Sequence, residues 1–238
     1  MAHTRKNRIA VTGIGVYSSI GNNKKDFRHA LVEGISGAGP ITGFDASGYK
    51  STVGAEIKDF DPHHYLSKKR ARRMSRFSQL ASSAALQAAA DAGLETAKPG
   101  PLRTGTVIGT AAGDYVNLEA QHKILLEKGP GNGHPLAVPM IIPNMSSANV
   151  AIDLGIGGPN LGVATACSSG SHAIAMAALI LKSGEADVMF AGGSEAAITP
   201  LTVNAYGTMG VLTSRNDDPL HASRPFDVDR DGFLIGEG

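Results

Sequence analysis

Leu161-Gly-Val-Ala-Thr-Ala-Cys167-Ser-Ser-Gly-Ser171 joins a short apolar run to a long apolar segment, and this junction decides the fold class. The run before Cys167 predicts a buried strand, and the segment after it predicts a buried helix. Cys167 is the only cysteine, and it lies where the strand turns into the helix. A helix N-terminus favours the thiolate, which is the nucleophilic form of cysteine. The stretch therefore indicates an α/β fold with a candidate nucleophile, although a lone cysteine is also common as an inert core residue.

Strand and helix patterns alternate on both sides of this junction. The predicted strands are 8–15, 104–109, 161–166 and 187–193, and the predicted helices are 24–33, 73–92, 115–128, 144–154 and 168–182. Residues 34–66 are rich in Gly, Asp and Pro, which predicts an irregular surface excursion. Alternating strands and helices predict an α/β fold with a mainly parallel, mixed sheet that is covered by helices on both faces.

Composition excludes several classes of protein. The chain has 238 residues, 42% of them hydrophobic, so it can bury a substantial core. Its net charge of +1 gives no overall field that favours nucleic acid or a membrane surface. The basic residues at positions 1–8 lead into only a short apolar run, which predicts neither a signal peptide nor a membrane span. A single cysteine fits a reducing compartment, so we expect a cytoplasmic protein that binds neither nucleic acid nor membrane.

Four strings, in one order along the chain, resemble the β-ketoacyl-acyl carrier protein synthases. They are Thr165-Ala-Cys-Ser-Ser-Gly170, Ala191-Gly-Gly-Ser-Glu195, Leu212-Thr-Ser-Arg-Asn-Asp217 and Ser223-Arg-Pro-Phe-Asp-Val-Asp-Arg-Asp-Gly-Phe-Leu-Ile-Gly-Glu-Gly238. The type II elongating condensing enzymes of fatty-acid synthesis are the most similar. The resemblance implies a thiolase-like layered αβαβα fold, usually in a homodimer. Residues 1–238 match the first half of that fold only, so we expect the chain to stop where a core strand begins.

The resemblance also implies a reaction. Cys167 would accept an acyl chain from acyl carrier protein as a thioester, and the carbanion from decarboxylated malonyl-acyl carrier protein would attack it, with no cofactor and no metal. The family's two catalytic histidines lie in the second half, and none of the eight histidines here lies in a similar string. His172 follows Cys167 by five residues, about 140° round a helix, so we expect a satisfied, buried side chain that points away from the thiol. The isolated chain is therefore expected to be inactive in condensation.

Two further groups of residues acquire roles by this resemblance. Lys69, Arg72 and Arg73 belong to a basic run where the family docks its acidic carrier protein, and the alternative is a solvated basic face. Ala111 and Ala112 lie in the turn after a strand, where many relatives carry a bulky aliphatic residue that limits acyl-chain depth. The alternative for these alanines is ordinary turn variation. Glu195 is expected to be a buried structural carboxylate, because the acidic residues show no metal-ligand spacing.

The sequence is also compatible with three other functions. One is a polyketide-type ketosynthase, which uses the same chemistry. Another is a truncated or non-catalytic thiolase-fold subunit that binds acyl carrier protein or a partner chain; retention of Cys167 disfavours it, and the missing histidines favour it. The last is an unrelated cysteine acyltransferase or hydrolase, which requires its own base beside Cys167.

Overall fold

The computed structural model describes residues 8–95 and 100–238, so the basic stretch at positions 1–7 lies outside the described residues. The helices are α1 (Lys24–Glu33), α2 (Lys68–Ala71), α3 (Arg76–Asp91), α4 (Tyr115–Lys128), α5 (Ala137–Ile141), α6 (Met145–Leu154), α7 (Ser169–Ser183) and α8 (Pro200–Met209). The strands are β1 (Gly39–Pro40), β2 (Val53–Ala55), β3 (Thr104–Gly109), β4 (Asn160–Val163), β5 (Val188–Gly193) and β6 (Ile235–Gly236).

The central sheet has the order β4-β3-β5, and all its strands are parallel. On one face, Val107 of β3 packs with Ala173, Ala177 and Ile180 of α7. On the other face, Ile108 packs in a cluster that is built mainly from α3 and α6. Neighbouring residues of a strand point to opposite faces, and every residue of β3 is buried, so helices cover the strand on both sides. The predicted α/β class, with helices on both faces of a mainly parallel sheet, is confirmed.

A second, smaller sheet has the order β1-β2-β6 and mixed strand directions. Gly54 of β2 pairs with Gly39 in the antiparallel sense and with Ile235 in the parallel sense. Residues 34–66, predicted as an irregular excursion, thus contain two short strands and a 3-10 helix, Pro62–His64. The parallel β2–β6 pair connects this part of the chain to its last residues.

The strand predicted at residues 8–15 is absent, and the prediction is wrong. The N–H of Ile14 donates instead to Asp91 Oδ2 at 2.9 Å, and the N–H of Val16 donates to Gln87 Oε1 at 3.1 Å. Both acceptors belong to α3, so side chains of a helix take the place of a strand ladder. An apolar cavity of about 400 Å³ is lined by this segment, α3, α7 and β5.

The prediction that α7 is fully buried is also wrong. Ala173, Ala177 and Ile180 are buried, whereas Ile174 is 57% exposed and Leu179 is 59% exposed. An apolar sequence on every side of a helix needs cover all round, and the central sheet covers only one side. No helix in residues 8–95 and 100–238 has the length and apolar character needed to cross a bilayer.

Candidate active site

Cys167 lies on a tight turn between β4 and α7, and it is exposed with a free thiol. The turn depends on Ala166, which has a φ of 53°, in the left-handed region that favours glycine. A non-glycine residue there costs about 1–3 kcal/mol, and such strain concentrates at functional sites. Ser168 Oγ donates to Thr165 O at 2.7 Å and closes the turn. The geometry presents the thiol at the surface, directly before the first turn of α7.

Glycines fix the start of α7 against the central sheet. A Cβ on Gly109, the last residue of β3, would lie 2.3 Å from the carbonyl oxygen of Ser169. A Cβ on Gly193, the last residue of β5, would lie 3.1 Å from Gly170 Cα. The proton of Ser169 Oγ is shared between Ala166 O at 2.7 Å and Thr110 O at 3.3 Å. The cysteine turn is therefore attached to the carboxyl ends of β3 and β5.

Ala111 and Ala112 lie in the turn that follows β3, as predicted, and this turn is bound to Glu195. The N–H of Ala111 donates to Glu195 Oε2 at 2.6 Å, and Thr110 Oγ1 donates to Glu195 Oε1 at 3.1 Å. Burial raises the pKa of the Glu195 carboxyl above its ordinary value, against the lowering effect of these donors. Ala111 is exposed and Ala112 is half-buried, and neither lines the apolar cavity described above.

The basic run at 68–76 separates into two groups. Arg70 donates to Asp153 Oδ1 at 2.6 Å, and Arg76 pairs with Glu237. The three predicted docking residues, Lys69, Arg72 and Arg73, are exposed and form no ion pair within the described ranges. Within the described ranges, the three docking candidates are thus unpaired at the surface beside α2, whereas Arg70 and Arg76 form structural ion pairs.

His172 differs in part from its prediction. Its Nδ1 lies 2.8 Å from Thr165 Oγ1, so the ring has a hydrogen-bond partner as expected. The residue is exposed rather than buried, because it lies on a side of α7 that the sheet does not cover. Across the described part of the chain, no group of three or more His, Cys, Asp or Glu side chains is arranged to hold a metal ion.

Sequence reasoning missed three features of the site. Ala166 has a left-handed conformation, which is unusual for alanine, so nothing in the sequence indicates it. The hydroxyls of Thr110 and Ser169 look like ordinary polar residues until their partners are known. The string Ala191-Gly-Gly-Ser-Glu195 marked Glu195 as structural, but it did not show that its carboxylate binds the turn at Ala111.

Comparison with known proteins identifies the family to which this chain belongs. Residues 6–238 match the family model for the Beta-ketoacyl synthase, N-terminal domain. The chain is 48% identical over its whole length to 3-oxoacyl-(acyl-carrier-protein) synthase 2 of Synechocystis sp., and it covers 57% of that protein. It is 43% identical over 98% of its length to the protein of the same name from Vibrio harveyi, and it covers 56% of that relative. The chain therefore spans little more than half the length of these curated relatives.

Solved structures give the same result. A β-ketoacyl synthase from Burkholderia phymatum superposes with a TM-score of 0.84 at 26% identity, over 95% of this chain and 56% of that one. The ishigamide ketosynthase/chain length factor superposes with a TM-score of 0.88 at 31% identity, over 96% of this chain and 55% of that one. The predicted thiolase-like fold, matched over its first half, is confirmed. Sequence and structure together show that this chain belongs to the β-ketoacyl synthase family and spans its N-terminal domain.

Proposed function

We propose that this chain is the nucleophile-bearing part of a β-ketoacyl-acyl carrier protein synthase of fatty-acid synthesis. The observation that carries the proposal is the position of Cys167, exposed on a strained turn at the start of α7. A thiol in this position can be reached by a thioester, and the helix N-terminus beside it stabilises negative charge. We expect the protein to be cytoplasmic and, in its complete form, homodimeric.

The first half-reaction is a transthioesterification. The Cys167 thiolate attacks the thioester carbonyl of an acyl-acyl carrier protein. The S–C bond to Cys167 forms, the S–C bond to the carrier breaks, and the carrier leaves as a thiolate that takes a proton from water. In the second half-reaction, malonyl-acyl carrier protein loses CO₂. The resulting carbanion attacks the Cys167 thioester, a C–C bond forms and the cysteine thiolate is released. Neither step consumes an oxidant or a cofactor.

Stabilising the carbanion requires donors that this chain is not expected to supply. The resemblance assigns that task to two histidines in the second half of the fold, and the chain covers 57% of its Synechocystis relative. His172, with its Nδ1 on Thr165, is not similar in sequence context to either of them. We therefore propose that the described chain loads an acyl group and that condensation requires the rest of the fold.

Acyl carrier protein is the proposed partner, and Lys69, Arg72 and Arg73 are the proposed docking residues. All three side chains are exposed and unpaired within the described ranges, so they are available to an acidic surface. Charge complementarity of this kind mainly raises the association rate and sets the orientation of docking. A ketosynthase of a type II polyketide system has been solved in complex with its acyl carrier protein, and this chain matches it with a TM-score of 0.79 at 28% identity.

Ala111 and Ala112 are the proposed acyl-pocket residues. Their methyl groups occupy less volume than the bulky aliphatic residue of many relatives, so we propose that the pocket accepts a longer acyl chain. Each extra methylene that an apolar pocket accommodates contributes about 1 kcal/mol.

A polyketide-type ketosynthase is the second candidate. One structural neighbour is the ketosynthase of a type II polyketide system, at 28% identity, and another is the ishigamide ketosynthase/chain length factor, at 31% identity. The identity of 48% to a 3-oxoacyl-(acyl-carrier-protein) synthase 2 favours fatty-acid synthesis. Both candidates use Cys167 in the same way, and they differ in whether the accepted acyl chain is fully reduced or carries further keto groups.

Acyl transfer to the full-length protein tests the proposal. The protein is incubated with octanoyl-acyl carrier protein, and the mass added to each peptide is measured. We expect one octanoyl group on the peptide that carries Cys167, and none in Cys167→Ala. Ser183→Ala, at the opposite end of α7, is the matched control and is expected to load normally. Stable label on Cys167→Ala would show that the nucleophile is another residue.

A further inference from the structure

Glu195 occupies a fixed position at the end of the central sheet. The N–H of the preceding residue, Ser194, donates to Gly109 O at 2.9 Å, which extends the pairing between β3 and β5. The N–H of Glu195 donates to Gly238 O at 2.8 Å, and the N–H of Gly238 donates to Glu195 O at 3.0 Å. The backbone at Glu195 is thus tied on both sides, and its side chain projects from a rigid base.

The Glu195 carboxylate binds the turn at residues 110–113 with both of its oxygens. Oε1 accepts from Thr110 Oγ1 at 3.1 Å, and Oε2 accepts from the N–H of Ala111 at 2.6 Å. Thr110 Oγ1 in turn accepts from the N–H of Gly113 at 3.2 Å and closes the turn. Hydrogen bonds to a charged acceptor are about twice as strong as neutral ones. A single carboxylate therefore sets the conformation of the turn that carries Ala111 and Ala112.

The same turn contacts the cysteine turn. Thr110 O accepts a share of the Ser169 Oγ proton at 3.3 Å, and Gly109 packs directly on the backbone of Ser169. Ser169 is two residues from Cys167. The chain of contacts from Glu195 through Thr110 to Ser169 thus joins the proposed acyl pocket to the proposed nucleophile.

We infer that Glu195 is a positioning residue that fixes the distance between the acyl pocket at Ala111–Ala112 and the thiol of Cys167, and thereby sets the acyl-chain-length selectivity of loading. The inference rests on the proposed function, because it assigns a task within acyl transfer to Cys167. Glu195 touches neither the acyl donor nor the thiol in this role. It acts through the turn that it holds.

The chemistry of the carboxylate explains why a glutamine is a poor substitute. Glu195 accepts at both oxygens, whereas a glutamine side chain of the same shape accepts at one oxygen only. The amide nitrogen would face either the N–H of Ala111 or the Thr110 hydroxyl, and only the hydroxyl can reverse its direction. Reversal keeps a hydrogen bond at Thr110, but a neutral amide replaces the charged acceptor, so both contacts weaken and the turn at Ala111–Ala112 loosens.

Chain-length selectivity of loading in the full-length protein tests the inference. The acyl donors are octanoyl, dodecanoyl and hexadecanoyl thioesters of pantetheine, which bypass carrier-protein docking. The rate of mass gain at Cys167 is measured for each, and selectivity is the ratio of the fastest rate to the slowest. In Glu195→Gln we expect this ratio to fall about tenfold, which is the discrimination that one or two methylenes supply in an apolar pocket.

Two sets of controls separate positioning from loss of stability. Thr110→Val removes the hydroxyl and is expected to lower the selectivity ratio as Glu195→Gln does. Thr110→Ser keeps the hydroxyl and is expected to have the wild-type selectivity ratio. Asp153→Asn weakens the ion pair with Arg70, away from the turn, and is expected to lower thermal stability without changing selectivity. If Glu195→Gln does not fold, the comparison of Thr110→Val with Thr110→Ser tests the inference instead.

The outcomes also distinguish this inference from the proposed function. If the wild type loads and either Glu195→Gln or Thr110→Val keeps the wild-type selectivity ratio, the inference is overturned and the proposed function stands. An equal fall in Asp153→Asn would overturn it too, because selectivity would then follow general stability. Absence of label on wild-type Cys167 with every donor, acyl carrier protein thioesters included, would overturn the proposed function and the inference with it.

Discussion

Arg76 binds Glu237 through two hydrogen bonds of 2.7 Å and joins the first residue of α3 to the residue after β6, 161 positions later. Glu237 Oε1 also accepts from the N–H of Ile57 at 2.7 Å, and Arg76 donates to Ile57 O at 3.0 Å. The bond to Glu237 raises the pKa of Arg76 further above its ordinary value. The pair therefore holds three distant segments together, and Arg76 is removed from the cations that are free to meet a partner.

Breaking this pair is expected to destabilise the protein. The Glu237 side chain is 8% exposed and the Arg76 side chain is 36% exposed, so Glu237→Gln should lower the free energy of unfolding by about 1–3 kcal/mol. Urea denaturation measures the change. Glu127→Gln is the matched control, because its pair with Lys123 is exposed and its loss should cost less than about 0.5 kcal/mol. Equal losses in the two variants would contradict the prediction.

Reversing the charges of the proposed docking group is expected to weaken carrier-protein binding. The triple variant Lys69→Glu, Arg72→Glu and Arg73→Glu should raise the KM for octanoyl-acyl carrier protein about tenfold, since each exposed pair contributes up to about 1 kcal/mol. The rate with octanoyl-pantetheine should stay unchanged, because that donor has no acidic surface. The single reversal Lys25→Glu, on exposed α1, is the control and should change neither rate. An equal loss with both donors would point to a damaged site instead.

The left-handed conformation of Ala166 gives a prediction about stability. A β-branched residue is strongly disfavoured at a φ of 53°, so Ala166→Val should cost about 1–3 kcal/mol of unfolding free energy. Ala166→Gly should relieve strain and leave stability within about 1 kcal/mol of the wild type, because glycine loses more entropy on folding. Ala175→Val, on the exposed side of α7, is the control and should cost less than about 0.7 kcal/mol. If the two valine variants lose equal stability, the turn at Ala166 does not have this conformation.

Asp114 gives a prediction about pH. Asp114 is buried at the N-cap of α4, and burial raises the pKa of its carboxyl above the ordinary value of 3.8. Between 3.8 and the raised pKa the native state binds more protons than the unfolded state, so stability falls as pH rises through that window. Asp114→Asn keeps an N-cap acceptor and does not titrate. The variant should therefore gain stability relative to the wild type as pH rises from below 3.8 to 7.

Thermal unfolding at several pH values measures this difference, and the other carboxyl groups cancel because both proteins contain them. Asp114→Ala, which lacks both the cap and the titrating carboxyl, should be about 1 kcal/mol less stable than Asp114→Asn at every pH. A stability difference between the wild type and Asp114→Asn that does not change with pH would contradict the assignment of a raised pKa to Asp114.

The isolated 238-residue chain is expected to load but not to condense. Incubation with octanoyl- and malonyl-acyl carrier proteins should give the Cys167 thioester and no β-ketoacyl product above background, because the resemblance assigns carbanion stabilisation to two histidines in the second half of the fold. Chromatography of the thioester products and intact mass measure the two half-reactions separately. Condensation by the isolated chain well above background would show that residues 1–238 contain the missing donors.

Local pattern predicted much of the fold, and tertiary contacts decided the rest. The helix at Tyr115–Lys128 has the predicted bounds, because Asp114 caps its start and Gly129 ends it. The strand predicted at residues 8–15 failed, because an apolar run specifies a strand only where a neighbouring strand is available to pair with it. The short strands β1, β2 and β6 contain two or three residues each, which is too few for a periodic signal.

In the candidate site too, local sequence indicated the residues, whereas their contacts depend on partners that are distant in sequence. Cys167 was evident from its place between strand and helix patterns, and the exposed cations at Lys69, Arg72 and Arg73 were evident as part of a basic run. Their separation from Arg70 and Arg76 depends on acidic partners that lie 83 and 161 residues away in sequence. The contact between Glu195 and Ala111 spans 84 residues, so no local pattern contains it.

The packing of Gly109 on Ser169 also defines how this chain can be evolved in the laboratory. Any side chain at Gly109 would collide with backbone rather than with a flexible neighbour, and Gly113 combines a φ of 74° with a Cβ position 2.7 Å from Ile141 O. Saturation libraries that seek a new product profile should therefore keep these two glycines constant. Diversity belongs at Ala112, the proposed pocket residue, where the backbone is already held by its neighbours and only the volume of one side chain needs to change.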